Sequence, residues 1–235
     1  MHRTRIKICG LTRPQDIHTA IAAGADALGF VFYGKSLRYQ TPEQVRQLLT
    51  CIPPYVSTVG LFVNATALQV EQVLLQAPLS QLQFHGDETP EQCAEIAALV
   101  NRPFTTVIRV RPATTGADLL KYESRCRAAS ALFLGVLLDT HVDSYGGSGK
   151  VFDWSIIPEA LAPRVVLSGG LDAQNATDAV LRVRPHAVDV SSGVEHAVGA
   201  TRMPGIKDSA RIAAFVAAVR AADAALTDFQ EAFHE

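Results

Sequence analysis

Short apolar runs alternate along this chain with stretches whose apolar positions recur every three to four residues, the periods of strands and of amphipathic helices. The first run, Ile6–Gly10, leads through Thr12, placed to cap, and Pro14, suited to a first turn, into a helical pattern ending at Gly24. Ala27–Phe32 is the second run. Thr41-Pro42-Glu43-Gln44 behind it reads as a capping box with proline at the first helical position, opening a helix through Leu49. Ser57–Phe62 and Thr66–Gln76 make a third unit. Gln81–His85 begins the fourth, and Thr89-Pro90-Glu91-Gln92 repeats the capping tetrapeptide two units on, as a repeating strand–helix architecture requires. Thr105–Val110 with the Asp118–Cys126 helix gives a fifth unit, and Ala131–Asp139 a sixth strand. Arg164–Gly170 with a helix from Asp172 to Arg184, then Ala187–Ser191 with a helix from Asp208 to Ala222, complete eight.

Eight such units of roughly 25–30 residues predict a single (β/α)8 barrel over residues 1–235, with 223–235 a helical extension. No linker divides the chain. An open doubly wound sheet would need three spaced glycines between the first strand and its helix, and only Gly10 stands there.

Composition narrows the function classes. The formal charge is -2 and no Lys/Arg run is long enough to follow a phosphate backbone, which argues against nucleic acid. No apolar run reaches membrane length and no signal region opens the chain, so a cytoplasmic protein is expected. Cys9, Cys51, Cys93 and Cys126 are spread singly, which predicts free thiols rather than a disulfide framework or a metal site.

In a barrel the chemistry collects at the carboxyl ends of the strands, and the residues there are Cys9, Arg38, His85, Asp139, Gly169-Gly170 and Ser191-Ser192-Gly193. Strand alternation puts Ile6 and Ile8 on one face and Lys7 and Cys9 on the other, so the cysteine shares a polar face. Lys7 is placed either to supply positive potential to that thiol or to pair with Asp189 on the eighth strand. Asp139 ends an apolar strand, where poor solvation would raise its pKa and suit a general acid; it serves equally well as a loop cap. Strands one and six are not neighbours in an eight-stranded ring, so Cys9 and Asp139 should face each other across the mouth. The small turns at Gly169-Gly170 and Ser191-Ser192-Gly193 fit phosphate binding, because exposed N–H groups and helix starts favour an anion. His85 either contacts substrate or belongs to a polar turn. Gly146–Lys150 is not a P-loop, since Val151 stands where Ser or Thr is needed, and reads as a lid.

With these residues in view the chain resembles the phosphoribosylanthranilate isomerases of tryptophan biosynthesis up to about Ala222. The matching motifs are Lys7-Ile8-Cys9-Gly10, Gly29-Phe30-Val31-Phe32 with Lys35-Ser36 and Arg38-Tyr39, Gln83 with His85-Gly86-Asp87-Glu88, and Leu137-Leu138-Asp139. They continue with Gly146-Gly147, Gly149-Lys150, Phe152-Asp153-Trp154, Ser168-Gly169-Gly170-Leu171, and Asp189 with Ser191-Ser192-Gly193-Val194-Glu195. Gly34, Leu37, Phe84 and Ser148 depart from the family pattern without removing a chemical group. The resemblance implies a cofactor-free Amadori rearrangement of a small phosphorylated substrate. In it Asp139 protonates the furanose oxygen, Cys9 takes the proton from C2, and Arg38 holds the anthranilate carboxylate. Arg38, His85 and Asp189 are the expected substrate contacts, in a monomer or homodimer. A histidine-pathway aldose–ketose isomerase would have aspartate at the end of strand one, where Cys9 stands. A catalytically silent phosphate-binding barrel would have lost Cys9 or Asp139.

Overall fold

Four threonines start four of the helices in the same way. Thr41, Thr66, Thr89 and Thr115 each accept a hydrogen bond from the backbone N–H three residues on, and the side chain there, Gln44, Gln69, Gln92 or Asp118, bonds back to the threonine N–H. Each box satisfies two of the donors that a helix start leaves open.

The computed structural model describes residues 3–140, 151–199 and 201–231. Strands β1 (Arg5–Cys9), β2 (Ala27–Val31), β3 (Ser57–Phe62), β4 (Gln81–Phe84), β5 (Phe104–Val110), β6 (Phe133–Thr140), β7 (Val165–Leu167) and β8 (Ala187–Val190) close into a barrel in chain order. All its pairings are parallel, and β1 joins β8 with Lys7 opposite Asp189. Helices α1 (Pro14–Ala23), α2 (Pro42–Leu49), α3 (Ala67–Gln76), α4 (Pro90–Val100), α5 (Gly116–Ala129), α6 (Ala176–Val183) and α7 (Ser209–Glu231) complete the units. Ile6 and Ile8 of β1 belong to the large buried core that also holds Ile212 and Phe215 of α7. Cys9, from the opposite face, packs instead with Val31 and Leu61.

Several expectations need correction. Thr12 does not cap α1: the cap position is Arg13, with no side-chain bond, and Thr12 Oγ1 donates to the Gly205 carbonyl at 2.5 Å. Among the described residues the sixth unit has no α-helix, only two 3-10 turns at Trp154–Ile156 and Ala162–Arg164. The Gly146–Lys150 lid lies outside the described residues. β7 is three residues long, so Ser168, Gly169 and Gly170 belong to the turn rather than to the strand. An antiparallel hairpin, β9 (Glu195–Val198) with β10 (Thr201–Lys207), intervenes between β8 and α7 and was not expected. The helix after it does not stop at Ala222, and the expected extension continues it as far as Glu231. There Asp223 accepts from the Thr4 N–H at 3.0 Å and the Thr4 hydroxyl at 2.7 Å, tying the last helix to the first strand.

Candidate active site

A cavity of about 350 Å³ opens at the carboxyl ends of the strands. Cys9, Arg38, His85, Asp139, Gly169, Gly170, Asp189, Ser191 and Ser192 line it. Of the expected site residues, only Gly193 does not.

Cys9 ends β1 with 5 % of its surface exposed, against the apolar side chains of Val31 and Leu61. Its surroundings are thus greasier than the alternation suggested. Burial pushes the thiol above its ordinary pKa, and the Asp189 charge adds to the rise, while the Lys7 and Lys207 ammonium groups oppose it. Lys7 fills both roles open to it: its Nζ pairs with Asp189 Oδ2 at 2.8 Å, with both groups buried, and its charge favours the Cys9 thiolate. Burial alone would lower Lys7, but the charges of Asp189 and Cys9 outweigh it and hold the ammonium above its usual range. Asp189 Oδ1 is buried and has no hydrogen-bond partner among the described residues.

Asp139 stands on β6, across the barrel from β1. Val136, Leu137 and Leu138 before it are buried, but the carboxylate itself is 26 % exposed, so the strand does not strip its water as expected. Its Oδ2 lies 3.2 Å from His85 Nε2. The Gln83 side-chain nitrogen lies 3.1 Å from His85 Nδ1. An amide nitrogen only donates, so Nδ1 accepts and Nε2 carries the hydrogen directed at Asp139. His85 therefore lines the cavity beside Asp139, with its ring held from both sides.

Arg38 follows β2 in a loop held to the barrel by a bridge between Tyr39 and Val31. Its guanidinium forks onto Glu195, Nε to Oε1 at 2.6 Å and Nη2 to Oε2 at 2.8 Å. Glu195 also accepts from Lys207 Nζ at 3.2 Å, and that ammonium donates to the Ser191 carbonyl at 3.0 Å. Glu195 was visible only as part of a motif. Lys207 was missed altogether, because its hairpin has no recognisable strand pattern. Arg109 and Arg111, which also line the cavity, were missed although they flank the last residue of β5. Listing every strand end, the fifth included, would have found them.

The two small turns meet beside each other. Gly169 and Gly170 have φ of 83° and 70°, the left-handed region where a side chain is strained. Asn175 Nδ2 donates to the Gly170 carbonyl at 2.9 Å and fixes the turn ahead of α6. Gly193 is buried in the 3-10 turn Ser192–Val194, and a Cβ there would collide with the Leu171 carbonyl. Its bareness lets the β8 turn pack on the β7 turn; it does not itself face the cavity.

A family model described as N-(5'phosphoribosyl)anthranilate (PRA) isomerase matches residues 6–218. The N-(5'-phosphoribosyl)anthranilate isomerase of Herminiimonas arsenicoxydans is 67 % identical over 226 residues, covering 96 % of this chain and 97 % of its own length. The crystal structure of phosphoribosyl anthranilate isomerase from Thermotoga maritima superposes with a TM-score of 0.79 at 39 % identity, covering 93 % of this chain and 99 % of its own. A crystal structure of a phosphoribosyl anthranilate isomerase in complex with reduced 1-(o-carboxyphenylamino)-1-deoxyribulose 5-phosphate gives 0.76 at 36 % identity with the same coverage.

Proposed function

Because the chain belongs to the N-(5'-phosphoribosyl)anthranilate isomerase family, we propose that Cys9 is the base and Asp139 the acid of its reaction. The reaction is the Amadori rearrangement of N-(5'-phosphoribosyl)anthranilate to 1-(2-carboxyphenylamino)-1-deoxy-D-ribulose 5-phosphate in tryptophan biosynthesis. The observation that supports the assignment is that these two residues line one cavity from strands that are not neighbours. A substrate between them has a proton donor on one side and an acceptor on the other.

Asp139 gives its proton to the furanose ring oxygen, the C1–O bond breaks, and the nitrogen lone pair forms the C1=N iminium. The positive charge acidifies the adjacent C2–H. Cys9, as thiolate, takes that proton, and the electron pair moves through C2=C1 to neutralise nitrogen. The resulting enolamine becomes the C2 ketone when a proton adds at C1 and the C2 hydroxyl loses its own, which balances the proton that Cys9 took and the one that Asp139 gave. Burial disfavours the thiolate in this pocket, and an iminium one bond from C2 supplies the opposing attraction. The His85 N–H directed at Asp139 orients the carboxyl group.

Arg38 receives the anthranilate carboxylate, and the turns at Gly169, Gly170, Ser191 and Ser192 receive the phosphate, with Gly193 supporting them from behind. The unpaired Asp189 Oδ1 is an acceptor for a sugar hydroxyl. The structural relative bound to a reduced product analogue supports a ligand of this shape here.

The test mixes purified protein with freshly generated N-(5'-phosphoribosyl)anthranilate and follows the loss of its fluorescence. The parent should turn over without added metal or cofactor, and Cys9→Ala and Asp139→Asn should each remove turnover while the reduced product analogue still binds. Undiminished turnover in either variant would take that residue out of the chemistry.

A further inference from the structure

Glu195 is fully buried, yet it meets two cations, one from the cavity wall and one from the hairpin between β8 and α7. Both carboxylate oxygens hold the Arg38 fork, and Oε1 also accepts from Lys207 Nζ and, at 2.9 Å, from the Gly205 N–H. Lys207 Nζ then reaches the Ser191 carbonyl at 3.0 Å and the Ser191 hydroxyl at 3.3 Å. The Lys207 N–H bonds to Asp16 Oδ2 at 3.0 Å, and Asp16 is itself held by Arg13, so α1 clamps the hairpin from outside. Gly10, the residue after Cys9, makes room for this arrangement: a Cβ there would come within 2.5 Å of Arg38 Cδ and 3.2 Å of Ser191 Oγ.

Arg38 and Ser191 come from different ends of the chain and serve different parts of the proposed ligand. We propose that Glu195 and Lys207 are positioning residues that set these two anion-recognition points relative to each other: Glu195 aims Arg38 at the carboxylate, and Lys207 seats the Ser191 turn for the phosphate.

A guanidinium on a flexible side chain recognises a carboxylate well only if its orientation is fixed beforehand. The bidentate fork fixes the guanidinium plane and occupies two donors, leaving the others for a ligand. Of the cluster only Arg38 lines the cavity; burial lowers the Lys207 ammonium from its ordinary pKa, and the Glu195 charge opposes that fall. Burial would push Glu195 up, but the bonds from Arg38 and the Lys207 charge outweigh it and keep the group below its ordinary carboxylate pKa. The anion is therefore present to hold its partners at neutral pH.

This inference rests on the reading that Arg38 takes the anthranilate carboxylate, and the test separates the two. Kd is measured for three probes: the reduced product analogue, the same molecule without its ring carboxylate, and the same molecule without its phosphate. Glu195→Gln should weaken the full analogue about tenfold or more and the carboxylate-free probe less than about twofold, because one well-placed charged hydrogen bond is at stake. Lys207→Met should weaken the full and carboxylate-free probes by about tenfold while hardly affecting the phosphate-free one. Should Glu195→Gln fail to fold, Glu195→Asp keeps the charge and withdraws the carboxylate by about 1.5 Å, one C–C bond. It should then show the same selective loss. Equal losses for all probes, or none, in the Glu195 and Lys207 variants would overturn the positioning role. Arg38→Met is the control: if it weakens the full and carboxylate-free probes equally, the carboxylate reading of Arg38 has failed, whatever Glu195 does.

Discussion

His85 Nε2 lies 3.2 Å from Asp139 Oδ2, and Gln83 holds the other ring nitrogen at 3.1 Å, so a side chain of β4 turns the histidine toward the proposed acid. Asp139→Asn is expected to abolish turnover while the reduced product analogue still binds, because the change removes a proton donor and hardly alters shape. His85→Phe removes only the orienting bond and should lower kcat by about one to two orders of magnitude, the size of a small misplacement of a reacting group. Steady-state kinetics on both variants check the ranking. A larger loss at His85 than at Asp139 would exchange their roles.

The two glycine turns should respond differently. Gly170→Val forces a branched residue to a φ of 70° on the cavity wall, and it should raise KM with a modest loss of stability. Gly193→Ala pushes a methyl group into the Leu171 carbonyl outside the cavity, so its first effect should be a lowered Tm, with KM rising as the turns separate. Tm and KM measured together distinguish direct from indirect support. An unchanged KM in both variants would move the phosphate site elsewhere.

Thr4 and Asp223 give a prediction free of catalysis. Thr4→Val deletes a buried 2.7 Å hydrogen bond to Asp223 but keeps the side-chain shape, leaving the carboxylate its bonds from the Thr4 N–H and Arg220. The cost should be about 1–2 kcal/mol. In a domain of this size that lowers Tm by about 2–8 °C, with kcat unchanged. Thermal melts with an activity assay check it.

How far the sequence reached can be argued from particular residues. Ser57–Phe62 is a strand in the sequence pattern with the boundaries the structure has, and the capping boxes at Thr41 and Thr89 are legible in their tetrapeptides, because these signals are local. The strand-end rule brought Cys9, Arg38, His85, Asp139 and the two small turns of the cavity wall into view, since a barrel converts position along the chain into position around one mouth. What stayed hidden depends on closure. That Arg38 forks onto Glu195 needs the loop after β2 to lie beside the hairpin after β8, and that Gly193 is bare for the sake of Leu171 needs two turns brought together. The hairpin was invisible because Pro204 and Gly205 break any strand pattern in Thr201–Lys207, which is held by its bonds to Thr12, Asp16 and Glu195. The solvation of Asp139 was misjudged for a related reason: the strand beneath it is apolar, but its side chain opens into the cavity.

Cys9 carries the central claim, and kcat of Cys9→Ser beside its Tm is the measurement that tests it most directly. A hydroxyl is too weakly acidic to ionise near neutral pH, so the variant should lose a factor of about 10²–10⁴ in kcat with its Tm close to the parent's. Burial raises the parent thiol, so its thiolate forms only on the alkaline side. The rising limb of the parent's kcat/KM should accordingly lie above the ordinary thiol pKa of about 8.5 and be missing from the variant. Near-parental turnover in a Cys9→Ser protein with a lowered Tm would contradict the account and make Cys9 a packing residue of β1.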